Sequence, residues 1–133
     1  MSVKRYPVVL PELKYKYVDT AEYTTTDTAY TVVADETFNI ADCGYCVIAL
    51  VVFEHRSYHS SYTSTVRVTF ETGGMSISRE HPTNSTEYVK WQFIEFFMKE
   101  EISDTIRIVI EHKTSKSGYE SYIKNIKIYI YVK

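Results

Sequence analysis

Apolar and polar positions alternate with a period of two along most of the chain, the signature of strands with one buried face. Ile126, Ile128, Ile130 and Val132 fall on one side of the last segment, and Asn125, Lys127, Tyr129, Tyr131 and Lys133 on the other. Val66, Val68 and Phe70 alternate with Arg67, Thr69 and Glu71, and Ile106, Ile108 and Ile110 with Arg107 and Glu111. Gly73-Gly74 marks a turn, followed by Met75 and Ile77 alternating with Ser76 and Ser78. Shorter strands are predicted at Lys14–Tyr17, at Tyr30–Val33, and separately at Phe38–Ile40. The unbroken apolar run Cys46–Phe53 predicts a strand buried on both faces. Tyr88–Met98 is predicted as a strand with Val89, Trp91 and Phe93 on one face. A helix is the alternative there, because Asn84-Ser-Thr-Glu87 matches a capping box.

These elements amount to eight to ten short strands and no strong helix. One core satisfies them as an all-β, antiparallel two-sheet β-sandwich of the jelly-roll type, with about eight strands. A small closed barrel is the runner-up. The 133 residues suffice for one domain, so 1–133 is read as a single jelly-roll domain. Residues 1–18 form an N-terminal segment that holds the first strand.

Composition agrees with this reading. Thirteen tyrosines, abundant Thr, Val and Ile, and only four glycines suit pleated, half-buried surfaces. Gln92 is the sole glutamine, and Asn39, Asn84 and Asn125 are the only asparagines, a hint of a hot habitat. The longest apolar run is far short of a membrane helix, and Pro7, Pro11 and Lys14 interrupt any leader-like stretch, so neither membrane insertion nor a secretory signal is expected.

Net charge is only -2, but it is unevenly placed. Residues 1–18 carry a net +3 and residues 113–133 a net +4, against -9 in between. If the first and last strands lie together, Lys14, Tyr15, Lys16 and Tyr17 join Lys127, Tyr129, Tyr131 and Lys133 in one basic, tyrosine-rich surface. Such a surface suits an identical subunit, a phosphate backbone or a glycan. Edge lysines that block aggregation would produce the same pattern.

Catalytic and metal chemistry find little support. Cys43-Gly-Tyr-Cys46 lacks the helix start that activates a redox Cys-x-x-Cys, since Cys46 runs straight into a strand. Cys43, Cys46, His55 and His59 are ordered like a zinc finger, but an extended strand sets Cys46 and His55 roughly 30 Å apart. The pair is read as a turn, with Cys46 in the core, Cys43 exposed, and a local Cys43–Cys46 disulfide left open. His55 and His59 are read as solvated. No phosphate loop and no nucleophile elbow is present. Neither an enzyme nor a cofactor is expected. An exposed aromatic platform of Tyr58, Tyr62 and Trp91 is the candidate glycan site, and Asn84-Ser-Thr86 matches an N-glycosylation acceptor.

The order Tyr23–Val33, Glu36–Ile40, Cys46–Phe53, Ser64–Phe70 with Gly73-Gly74, Asp104–Ile110 and Tyr122–Ile128 resembles small jelly-roll domains of virion proteins. These are single jelly-roll capsid subunits and tumour-necrosis-factor-like fibre heads. The resemblance is one of layout and carries over no site residue. It implies a non-enzymatic virion structural protein that self-assembles with identical subunits, alone or with other virion proteins. With the hot-habitat hint, it implies an archaeal virus and assembly in the host cytoplasm. Carbohydrate-binding modules share the layout, so a carbohydrate- or receptor-binding jelly roll is the alternative.

Overall fold

The computed structural model describes residues 11–133, so the opening part of the N-terminal segment, with Lys4, Arg5 and Pro7, lies outside the described residues. Nine strands follow in order: β1 (Glu12–Asp19), β2 (Tyr23–Thr25), β3 (Thr31–Asn39), β4 (Cys46–Ser57), β5 (Ser64–Thr72), β6 (Met75–Thr83), β7 (Val89–Met98), β8 (Thr105–Thr114) and β9 (Ser121–Val132). A single 3-10 turn, Lys99–Glu101, is the only helical element among the described residues. The first sheet runs β1-β9-β4-β7, with β2 also paired to β9, and the second runs β3-β8-β5-β6. Every pairing is antiparallel. The architecture is the all-β jelly-roll sandwich the alternation predicts.

The core lies between the sheets. Val47, Ala49, Val51 and Phe53 of β4 and Ile123, Ile126, Ile128 and Ile130 of β9 meet Val66, Val68 and Phe70 of β5 and Ile106, Ile108 and Ile110 of β8. All are essentially inaccessible to water. Alternation is the cause: each inward side chain is followed by one that points away, so these strands contribute one row each to the interior. The β5–β6 hairpin closes on Gly73-Gly74, both at positive φ (59° and 78°), as a two-residue turn that follows the strand twist requires. In β9 the alternation skips a beat. Asn125 sits at φ 52° where the β4 pairing shifts register, which lets both Ile123 and Ile126 face inward.

Several sequence expectations need correction. Tyr30–Val33 and Phe38–Ile40 are not separate strands. Apart from Tyr30 and Ile40, which flank it, they belong to one strand, β3, with a register shift between Val32 and Ala34 that breaks the apparent period. β4 does not stop at Phe53 but continues through His55 to Ser57. Nor is it buried on both faces: Ile48, Leu50 and Val52 are only partly covered, because nothing among the described residues packs on the outside of this sheet. His55 is fully buried, not solvated, whereas His59 is exposed in the loop that follows. The 88–98 segment is the strand β7, as predicted.

Candidate functional site

The two outer faces of the sandwich differ in kind. On the second sheet the outward residues are mostly Thr, Ser, Arg, Glu and Asp that satisfy one another, with Val32 and Val109 as isolated apolar positions among them. Arg107 pairs with Asp35 at 2.7 Å and with Glu71 at 3.2 Å, and Arg67 pairs with Glu111 at 3.0 Å. Arg67 and Lys113 also lie over the Tyr30 ring, whose hydroxyl donates to Glu80. Burial and the Glu80 carboxylate push the Tyr30 hydroxyl well above the usual phenol range. This is an ordinary solvent face.

The outer face of the first sheet is divided along its length. Register places Leu13, Tyr131, Ile48 and Phe96 side by side, then Lys16, Tyr129, Leu50 and Ile94, then Val18, Lys127, Val52 and Gln92. Nine of those twelve positions are apolar or aromatic. Ile94 and Phe96 are each 56% exposed and Leu13 50%. Pro11, Ile48, Leu50, Ile94 and Tyr131 line an open, apolar depression of about 390 Å³. Beyond the third row the face becomes polar. Arg56 stacks 3.7 Å from the Tyr122 ring centroid and also approaches the Tyr88 ring, with Lys124 4.0 Å from the latter. The Tyr88 hydroxyl donates to Glu22, and Asn125 donates to Glu54. That half satisfies itself, and among the described residues the apolar half is left open.

The structure brings the predicted basic, tyrosine-rich residues together, because β1 pairs with β9 along its length. It also sorts them. Lys16, Lys127, Tyr129 and Tyr131 belong to the outer face, with Lys16 Nζ 5.9 Å from the Tyr129 ring centroid. Tyr15 and Tyr17 fall in the inward register and pack against the core, Tyr15 5.5 Å from Phe38. Lys14 occupies a bulge and pairs with Asp42, which holds the Asp42 carboxyl below its ordinary range. The Lys133 carbonyl accepts from the Gly44 and Tyr45 amides, so it anchors the Asp42–Tyr45 turn. What the alternation did not single out is Ile48, Leu50, Ile94 and Phe96. Their signal was apolar residues on both faces of neighbouring strands.

The aromatic platform divides as well. Tyr58 and Tyr62 cluster with Tyr119, at 5.7 and 4.5 Å from its ring, where the β4–β5 and β8–β9 loops meet. Backbone bonds from Tyr58 to Glu120 and between Thr63 and Ser115 tie those loops together. Trp91 is elsewhere, stacked 3.9 Å from His81 on the inward side of the β6–β7 seam and 43% exposed. Asn84 is exposed and braces the same loop end through Thr63 and Ser60. Cys43 and Cys46 are free thiols and both are buried, so the expected exposure of Cys43 is not found. No group of three or more metal-ligating side chains occurs among the described residues.

One interior feature escaped sequence reasoning. His81 Nδ1 lies 2.9 Å from His55 Nε2, and His55 Nδ1 lies 3.0 Å from Ser64 Oγ. Ser64 Oγ contacts Ser121 Oγ at 2.7 Å, and Ser121 Oγ contacts His112 Nδ1 at 3.0 Å. This polar chain crosses the end of the core between both sheets, and His112 Nε2 has no partner among the described residues. Burial pushes His55 down to about 3 and His112 down to about 4, with His81 also lowered. The histidines are neutral there and act as hydrogen-bonded core residues.

Neither a protein-family model nor a curated protein matches the sequence. Solved structures do. The VP2 protein of infectious bursal disease virus, solved as a subviral particle, superposes with a TM-score of 0.63 at 13% identity over 92% of this chain and 33% of that one. A chain of the T13 particle of that virus gives 0.55 at 14%, over 92% and 35%. A family 4 carbohydrate-binding module gives 0.51 at 7%, over 89% and 76%. The chain thus spans about a third of the viral chains it matches. At these identities the shared property is the jelly-roll fold.

Proposed function

We propose that residues 1–133 act as one jelly-roll domain, a non-enzymatic structural subunit of a virion that assembles with identical copies. The observation that carries this reading is the open apolar half of the first sheet's outer face, set against the self-paired polar face of the second sheet. A monomer seldom leaves so contiguous an apolar patch in water, and such patches mark association surfaces. Each large apolar side chain moved from half-exposed to buried contributes about 1 kcal/mol, which favours pairing of this face over keeping it solvated. The shared fold with VP2 supports the virion assignment, and the low amide content supports a host from a hot habitat, an archaeal one. Assembly within the host cytoplasm belongs to the same reading. The test is light scattering with sizing chromatography over a range of concentration and salt. The intact chain is expected to associate, and Ile94→Glu with Phe96→Glu to leave a folded monomer. A wild-type chain that stays monomeric throughout would sink the reading.

A second reading has its own observation. The Tyr58–Tyr62–Tyr119 cluster, held by tied loops, offers exposed rings of the kind that stack on sugars. It would make the chain a carbohydrate- or receptor-binding jelly roll. A glycan array answers it: binding that disappears in Tyr58→Ala would favour this reading, and silence across the array would remove it.

A further inference from the structure

Charge is distributed across the apolar half of the first sheet in a way that selects how two copies meet. Within its three rows the charged residues are Lys16 and Lys127, which lie on β1 and β9. The β4–β7 side of the same rows carries Ile48, Leu50, Val52, Phe96, Ile94 and Gln92, with no charge at all. Neither lysine forms a salt bridge among the described residues. Two sheets that pack face to face keep their strands nearly aligned, about 10 Å apart. For identical faces only two arrangements close as a pair with two-fold symmetry.

In the first, the two-fold axis lies in the interface across the strands. Then β1 faces β1 and β9 faces β9, so the lysine-bearing halves oppose each other in a drying interface. In the second, the axis runs along the strands. The order β1-β9-β4-β7 then meets its own reverse, and each lysine-bearing half covers the uncharged half of the other copy. Lysine stems can lie on apolar surface while their ammonium groups reach the rim. Like charges set opposite each other oppose association, which disfavours the first arrangement.

We infer that the chain pairs through the outer face of the first sheet with a second copy, about a two-fold axis parallel to the strands, so that β1 and β9 of each copy lie over β7 and β4 of the other. This rests on the assembly reading above and specifies its partner and geometry. In this arrangement Gln92 lies over Val18 of the second copy, between that copy's Lys16 and Lys127. Gln92 is exposed and sits on the outer side of the edge strand.

Gln92 therefore supplies the test. Gln92→Glu is expected to tighten self-association about 3- to 10-fold at low salt, and Gln92→Lys to weaken it by a similar factor. Both changes should fade as salt rises. Sedimentation equilibrium on the full chain reads all three proteins, with Ile94→Glu as the variant that removes the face. If Ile94→Glu abolishes association but the two Gln92 variants do not shift it in opposite directions, the geometry is wrong and the assembly reading stands. If the full chain is monomeric, both fail. If the full chain is monomeric but residues 11–133 alone associate, the occupant of the face is the chain's own first ten residues, and the proposal is overturned.

Discussion

His55 and His112 make the core sensitive to acid. Both are held neutral in the folded chain, at about 3 and about 4, mainly because burial penalises the charged ring. In the unfolded chain they take up protons near 6.5. The unfolded state therefore binds more protons below that value, and the stabilisation present above pH 6.5 is lost progressively as pH falls toward the folded values. The two together represent on the order of 8 kcal/mol, comparable to the stability of a small domain. Urea unfolding midpoints should fall steeply between about pH 6.5 and pH 4.5. His112→Phe should flatten that slope, since it removes one titrating ring together with an unpartnered buried nitrogen, while Ser121 keeps Ser64. A midpoint independent of pH across that window would contradict the account. The cysteines are simpler. Both thiols are buried and unbonded, so a thiol reagent should label neither in native protein and both after unfolding. The motif that invites a chemical interpretation is a turn, with Cys43 and Cys46 as small apolar residues on either side of Gly44.

At the scale of elements, legibility followed register. β9 was readable because its isoleucines recur every second residue, and β5–β6 because Gly73-Gly74 announces a tight turn. The pattern splits β3 because a bulge breaks the count, and it ends β4 early because His55 and Ser57 are polar residues in core positions. Ser57 donates to the His59 and Tyr62 carbonyls, while the polar chain that starts at His55 runs through Ser64, Ser121 and His112 on three other strands, so only the fold could assemble it. The turn also makes a strong prediction. A Cβ at Gly73 would stand 2.5 Å from the Glu101 carbonyl oxygen, at a φ that disfavours side chains, whereas one at Gly74 meets nothing within 4 Å. Gly73→Ala should destabilise the domain by about 2–4 kcal/mol and Gly74→Ala by about 1 kcal/mol, read from urea midpoints. Equal losses in the two variants would show that the Glu101 contact does not constrain the turn.

At the scale of the molecule, the two outer faces decide what the domain can do. β7 carries apolar residues on both faces: Val89, Trp91 and Phe93 inward, Ile94 and Phe96 outward. In a strand whose outer face meets only water, that pattern has no use. It makes sense where the outer face is itself to be covered. The lysines on β1 and β9 were legible as a basic surface, but the apolar rows beside them were not, because they lie on strands far apart in sequence. That mixture fixes the response to salt. An interface held by cross-copy ion pairs weakens as salt screens them. In the proposed pairing the contact is apolar and the charged residues in it, Lys16 and Lys127, share one sign, so salt relieves repulsion without removing attraction. Self-association of the wild-type chain should hold or strengthen from about 0.05 to 0.5 M sodium chloride, and sulfate should strengthen it further by favouring burial. Light scattering at fixed protein concentration measures this directly. Dissociation on raising chloride would mean that ion pairs, and not the Ile48–Leu50–Ile94–Phe96 surface, hold the copies together.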